Sequence, residues 1–336
     1  MDLGTQYLGL DLASPLVPSA SPLSRSLDSC RRLEDAGAGA LILWSLFEET
    51  LTAETESTAR FLSEQFTGFA EADSFLPDHR DFTPILDLYL EHIAKLKASL
   101  GIPVIASLNG VTPGGWVRHA QALEQAGADA LELNVYYVAA DPDEDGAAVE
   151  ERYLALLSAL RHQVKLPINM KLSPTFSAVA NMVRRLEAAG ANGVDLFNRF
   201  YQPDINLDSL RLRPVLNPST SAESLLAMRW IALLHGRVGL SLGATGGVHG
   251  PEDALKLLLA GADVVHLCSL LLREGPRALG RVRAGIAEWM EAQGFETLAD
   301  FRGRMSALAV PNPAEFERGN YVQVLDSFKS ATGVMI

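Results

Sequence analysis

The chain has 336 residues, 48% hydrophobic and 21% charged, an ordinary globular balance with length for one large domain or two small ones. Its formal net charge is −13 with no long run of like charge. That disfavours nucleic acid or an anionic membrane as partner and leaves a small molecule as the expected ligand. The two cysteines, Cys30 and Cys268, stand far apart without CxxC spacing, which excludes a disulfide framework and an encoded iron–sulfur or zinc site, so no metal is expected.

The N-terminal stretch MDLGTQYLGLDL carries neither a basic n-region nor an apolar h-region. No apolar run reaches the ~18 residues of a membrane span. The expectation is a soluble, cytoplasmic, unprocessed protein. From there one pattern recurs: a helical segment ending in Ala-Gly-Ala, then a few strand-like residues. The copies are RRLEDAGAGALILWS (31–45), ALEQAGADALELN (122–134), RRLEAAGANGVDLFN (184–198) and LLLAGADVVHLCS (257–269). In each, glycine takes the left-handed conformation that ends the helix, and small neighbours allow close packing on a sheet.

Between the copies lie four more apolar runs bounded by turn residues: SPLVPSAS (14–21), IPVIASLNG (102–110), LPINMKLSP (166–174) and VGLSLGATGG (238–247). Helical patterns at 116–126, 147–162, 176–189, 222–235 and 251–260 alternate with the strands. Alternation implies parallel strands, and eight of them predict a (β/α)8 TIM barrel, with an open doubly wound sheet as runner-up. No G-x-G-x-x-G follows the first strand, which favours the barrel. Residues 46–101 are too long for a plain crossover and are expected to hold a lid and a crossover helix near 84–99. A helical extension is expected from about 277, and residues 1–336 read as one domain.

In such a barrel, chemistry belongs at the C-terminal ends of the strands. Those positions are Ser19 to Ser21, Trp44 and Ser45, Ser107 and Asn109, Asn134, Lys171, Asn198, Gly243 to Gly247, and Cys268 with Ser269. The amides, hydroxyls and lysine suit a flat, carbonyl-rich, anionic ligand. ATGGVHGPEDA and LCSLLLREGP supply the glycine amides and hydroxyls of a phosphate cradle. Cys268 reads as a small buried residue beside that cradle, and His249 and His266 as structural or solvent-facing. At this point an FMN enzyme and a Schiff-base lyase or aldolase using Lys171 fit equally well.

SPLVPSAS, KLSP with Lys171, LFN with Asn198, ATGGV, GADVVHLCSLLLREGP and the tail GFETLADFRG together resemble the dihydroorotate dehydrogenase family, in its shorter soluble class and its dihydroorotate dehydrogenase-like branch. The resemblance implies FMN at the strand tops. Ser19, Ala20 and Ser45 would lie near the isoalloxazine, Asn134 and Lys171 at its polar edge, and Gly243, Gly246, Gly247, Cys268 and Ser269 around the ribityl phosphate. Asn109, Asn134 and Asn198 would hold a pyrimidine or similar carboxylate substrate. The implied reaction moves a hydride to the flavin while a base on a loop takes the neighbouring proton.

The chain departs from the family pattern on the substrate side. The family's base position falls on Tyr137 within the run Asn134 to Ala139, and Trp44 replaces a strand-two lysine. A phenol titrates near pH 10 and would need help to act as a base. Arg199 is the expected replacement cation. A homodimer and a separate electron-transfer partner are further expectations, and a non-catalytic flavin-binding subunit of a redox complex is the alternative outside enzymes.

Overall fold

The computed structural model describes residues 1–53, 84–110, 113–213, 215–318 and 321. Eight parallel strands follow the alternation read from the sequence: β1 (Leu16–Pro18), β2 (Leu41–Ile42), β3 (Val104–Asn109), β4 (Ala130–Asn134), β5 (Ile168–Leu172), β6 (Gly193–Leu196), β7 (Ser241–Thr245) and β8 (Val264–Leu267). They pair in the order β1-β8-β7-β6-β5-β4-β3-β2. At the remaining seam, the Gly39 N–H donates to the Leu16 carbonyl at 2.9 Å. The architecture is a (β/α)8 barrel.

The outer helices are α1 (Leu27–Asp35), α2 (Ile85–Lys97), α3 (Pro113–Gln125), α4 (Gly146–Arg161), α5 (Val179–Ala188), α6 (Ser224–Leu234), α7 (Pro251–Ala260), α8 (Ser269–Glu274) and α9 (Arg277–Gln293). Their bounds lie within a few residues of the sequence-derived ones. Helix α9, expected as a C-terminal extension, packs against both α7 and α1 and so completes the outer ring. Within the long excursion, α2 is the expected crossover helix. Residues 54–83, where the lid is expected, lie outside the described residues.

The Ala-Gly-Ala repeat has two structural jobs. Its glycines, Gly37, Gly127, Gly190 and Gly261, all adopt positive φ between 94° and 119°, ending their helices as expected. The polar residue two places after the glycine then caps the start of the preceding strand. Asp129 accepts from Val104 N at 2.7 Å, Asn192 from Ile168 N at 2.9 Å, and Asp263 from Leu242 N at 2.7 Å. These bonds satisfy strand-end amides at the barrel floor that lack a ladder partner.

An N-terminal hairpin, Thr5–Tyr7 with Leu10–Leu12, plugs that floor. Tyr7, Leu8 and Leu12 pack on Val17, Ile42, Ile105, Ala130 and Val264 in an apolar cluster separate from the main core. The main core lies between strands and helices. Above the apolar floor the barrel interior turns polar: Ser107, Glu132, Asn169 and Asp195 are fully buried and His266 is 2% exposed. That buried layer carries the cavity above it.

Candidate active site

A cavity of about 600 Å³ opens at the C-terminal ends of the strands, within the size range of small-molecule and cofactor sites. Ser19, Ala20, Ser45, Asn109, Asn134, Lys171, Asn198, Arg199, Gly246, Gly247, Cys268 and Ser269 all line it. Thus residues from all eight barrel units, separated by as many as 250 positions in sequence, meet in one space. The period of two along a strand explains the placement. Asn109, Asn134 and Lys171 stand on adjacent strands in register and face the same way.

Lys171 is the deepest cation. Its Nζ donates to Ser19 Oγ at 3.3 Å and lies 3.5 Å from Glu132 Oε2. Burial opposes the lysine charge, but Glu132 and Asp195 more than offset it and hold its pKa above the ordinary value. A Schiff-base nucleophile needs a neutral amine, so this environment disfavours the lyase alternative. Burial raises the pKa of Glu132 despite the attraction of Lys171. Beneath the cavity, Ser45 Oγ lies 2.9 Å from Ser107 Oγ, which donates to Glu132 Oε1 at 2.8 Å. Asn198 Nδ2 donates to Asn134 Oδ1 at 2.6 Å, fixing that pair of amides as one unit.

The loop after β7 makes the cradle. Gly246 and Gly247 have φ of 95° and 75°. A Cβ on Gly246 would meet nothing within 4 Å, whereas on Gly247 it would stand 2.3 Å from Ser224 N. Ser219 N and Oγ each lie 3.1 Å from Ser269 Oγ, and His249 Nε2 lies 3.1 Å from Ser219 Oγ. Asp253 accepts from Ser221 Oγ and His249 N, both at 2.9 Å, and so ties the loop to α7. Free amides at positive φ beside hydroxyls form a concavity suited to an anion. Ser219 and Asp253 were not singled out from the sequence; each sits in a loop whose polar residues read equally as turn formers.

Three sequence expectations need correction. Gly243 does not line the cavity: a Cβ there would stand 2.0 Å from Asp195 Oδ1 and 2.8 Å from His266 Nε2, so it is glycine because the buried layer closes over it. Tyr137 also stays outside. Its hydroxyl donates to Glu144 Oε2 at 2.5 Å, and Arg152 lies 4.4 Å over its ring and pairs with Glu144 at 2.6 Å. The Glu144 bond raises the phenol pKa, the wrong direction for a base. Its neighbour Tyr136 lines the cavity, stacked on Phe200 at 4.1 Å.

Arg199 lines the cavity but is already countered, with Nε 2.8 Å from Glu223 Oε2 and Nη1 bonded to the Asn217 carbonyl. It does not replace the missing lysine as a free cation. Of the two readings of His266 the structural one holds: it is buried, and its Nε2 lies 3.0 Å from Asp195 Oδ1, which also accepts from Tyr7 OH at 2.8 Å. For Cys268, burial raises the thiol pKa despite nearby Lys171, in keeping with a small packing residue. Glu132 and Asp195 were missed because each sits in an apolar run, and His266 was read without its partner for the same reason. Counting back by two from Asn134 and Cys268 would have found Glu132 and His266 on the inward face.

A parallel barrel whose strand tops converge on a charged lysine, paired amides and an anion cradle defines a cofactor-using barrel enzyme. The dihydroorotate dehydrogenase family model matches residues 84–290, more than half of the chain, and the chain belongs to that family. It is an oxidoreductase of the dihydroorotate dehydrogenase type, acting on a CH–CH bond. Among similar proteins, the dihydroorotate dehydrogenase B (NAD(+)) catalytic subunit of Methanothermobacter thermautotrophicus is 25% identical over 90% of this chain and 97% of its own length. That of Methanosarcina acetivorans is 28% identical over 88% of this chain and 93% of its own. The NAD-dependent dihydropyrimidine dehydrogenase subunit PreA of Escherichia coli K12 is 23% identical over 92% of this chain and 78% of its own.

Proposed function

We propose that this chain is an FMN-dependent dehydrogenase of dihydroorotate or a related small cyclic carboxylate. The observation that carries the reading is the convergence on one cavity of Lys171 with its counter-ion Glu132, the Asn134–Asn198 amide pair, and the Gly246–Gly247 turn. The donor set fits the cofactor. Gly246, Gly247, Ser219 and Ser269 would hold its phosphate, Ser19, Ala20 and Ser45 would border its ring, and Lys171 would meet its polar edge. Bound there, FMN would supply the acceptor for a hydride leaving substrate carbon.

The chain's own residues do the rest. Lys171, held charged by Glu132, would offer its ammonium to the polar edge of the bound cofactor. The fixed amides of Asn134 and Asn198, with Asn109 beside them, orient a carbonyl-bearing ring by donating and accepting in known directions. Tyr136, backed by its stack on Phe200, forms one wall and would restrict how the ring lies. With Tyr137 tied to Glu144, proton removal is not assigned to it in this arrangement.

An absorbance spectrum of the purified protein followed by anaerobic titration with dihydroorotate tests the reading. A flavin band bleached stoichiometrically by dihydroorotate is the expected result, and a colourless protein overturns it. Two related B-type enzymes are described as catalytic subunits, and we propose a separate electron-transfer partner here as well. A homodimer is supported by the hairpin Asp204–Asn206 with Arg211–Arg213, which exposes Ile205, Leu207, Leu210 and Leu212. Isolated apolar residues need no explanation, but such a group on one hairpin suits an interface. Light scattering of the wild type against Leu207→Asp would read the dimer directly. The unpaired thiols of Cys30 and Cys268 suit a reducing cytoplasm.

A further inference from the structure

The charges around the cavity do not balance. Lys171, Arg199, Arg25 and Arg273 line it, with Glu49 as the only lining carboxylate among the described residues. Lys171 is countered by Glu132 and Arg199 by Glu223. Arg25 has no ion-pair partner among the described residues. This excess of cation stands in a chain whose net charge is −13.

Arg25 is not a loose surface side chain. It ends the short turn Pro22–Arg25, whose Ser24 is 1% exposed and bonded in several directions. Ser24 Oγ accepts the Trp44 N–H at 2.8 Å, and the Ser24 carbonyl lies 2.7 Å from His92 Nε2. The turn is therefore fastened to the end of β2 and to α2. The Arg25 guanidinium carbon stands 5.8 Å from the centre of the Trp44 ring. That indole is itself wedged edge-on against Tyr89 at 4.7 Å and against His92 at 5.2 Å.

An aromatic face steadies a guanidinium without neutralising it. A planar fork held over an indole in a ligand cavity, with no acid partner among the described residues, keeps its donors for an anion that arrives with the ligand. We propose that Arg25, positioned by Trp44, is the specificity-determining cation of this site and captures a carboxylate on the substrate. The enzyme then selects cyclic acids over the corresponding uncharged rings. This rests on the reading of the cavity as a dehydrogenase substrate site.

The test is calorimetric titration of the flavin-loaded protein with orotate and with uracil, the same ring without the carboxylate. Wild type is expected to favour orotate by about tenfold or more, a charge-assisted contact's worth. Arg25→Ala loses that preference while its uracil affinity is unchanged, Arg25→Lys keeps part of it, and Trp44→Leu falls between. An orotate-to-uracil ratio unchanged in Arg25→Ala overturns the proposal, as does a wild type that binds both equally or neither. Flavin content is read separately from visible absorbance. An intact flavin band with an unchanged ratio sinks the role of Arg25 alone, and a missing band sinks the site reading with it.

Discussion

Lys171 and Glu132 form a buried ion pair, 3.5 Å apart with side chains 8% and 0% exposed, directly beneath the cavity. The carboxylate is the deeper partner and burial already disfavours its charge, so the lysine serves the glutamate as much as the reverse. Removing the cation should therefore leave an uncompensated buried acid. Lys171→Met is expected to cost about 3 kcal/mol of unfolding free energy. Adding Glu132→Gln should recover most of that loss. Urea unfolding at matched flavin content measures both, and a double variant no more stable than the single would show that the two residues act independently.

Tyr136 and Tyr137 are adjacent in sequence but opposite in role. Tyr137→Phe removes a hydroxyl already committed to Glu144, so turnover with dihydroorotate should stay within about threefold of wild type, well short of the 10²-fold or greater loss of a general base. Tyr136→Ala removes a ring that lines the cavity and is braced by Phe200, and KM should rise severalfold. Steady-state kinetics separate the two, and a Tyr137→Phe loss of a hundredfold would restore that phenol as the base.

The cradle glycines make different demands. Both need left-handed backbone, at a cost of about 1–2 kcal/mol for an L side chain. Only Gly247 is also walled in, by Ser224 N. Gly247→Ala should lower the melting temperature most, whereas Gly246→Ala should lower it only by the backbone strain and retain less flavin. Flavin-to-protein absorbance ratio and thermal unfolding report the two effects separately. Equal melting losses in both variants would contradict the assignment of Gly246 to the open face of the cradle.

Much of this was legible in the chain because the barrel repeats itself. AGAD, AGAN and AGAD announce both a helix end and a strand-floor cap, and strand-top residues fall at predictable distances beyond them. Reading stopped where a side chain could turn either way. In LNVYYVAAD, period-two alternation ends at Asn134, and nothing local shows that Tyr136 enters the cavity while Tyr137 turns to Glu144. The pairing of Arg199 with Glu223 spans two loops and leaves no sequence trace. Arg25 was passed over because an arginine after a serine-rich turn reads as a solvated surface charge, and only the fold places Trp44 beneath it.

Asp195 gives the buried layer a pH signature. Burial works against its charge, yet His266, Lys171 and the Tyr7 hydroxyl overcome this and hold its pKa below the ordinary carboxylate value. A folded-state pKa lower than the unfolded one, near 3.9, contributes stability that is present above the unfolded value and lost as pH falls through the folded value. Asp195→Asn deletes that contribution while keeping the side chain's shape. The unfolding free-energy gap between wild type and Asp195→Asn should therefore widen as pH rises from about 3 to about 5 and stay level above that. Glu132 acts with the opposite sign: its raised pKa means a stabilisation present in acid that fades as pH rises through its folded value. Denaturant unfolding of both proteins across this range measures the gap, and a gap that does not change with pH would rule out the Asp195 contribution.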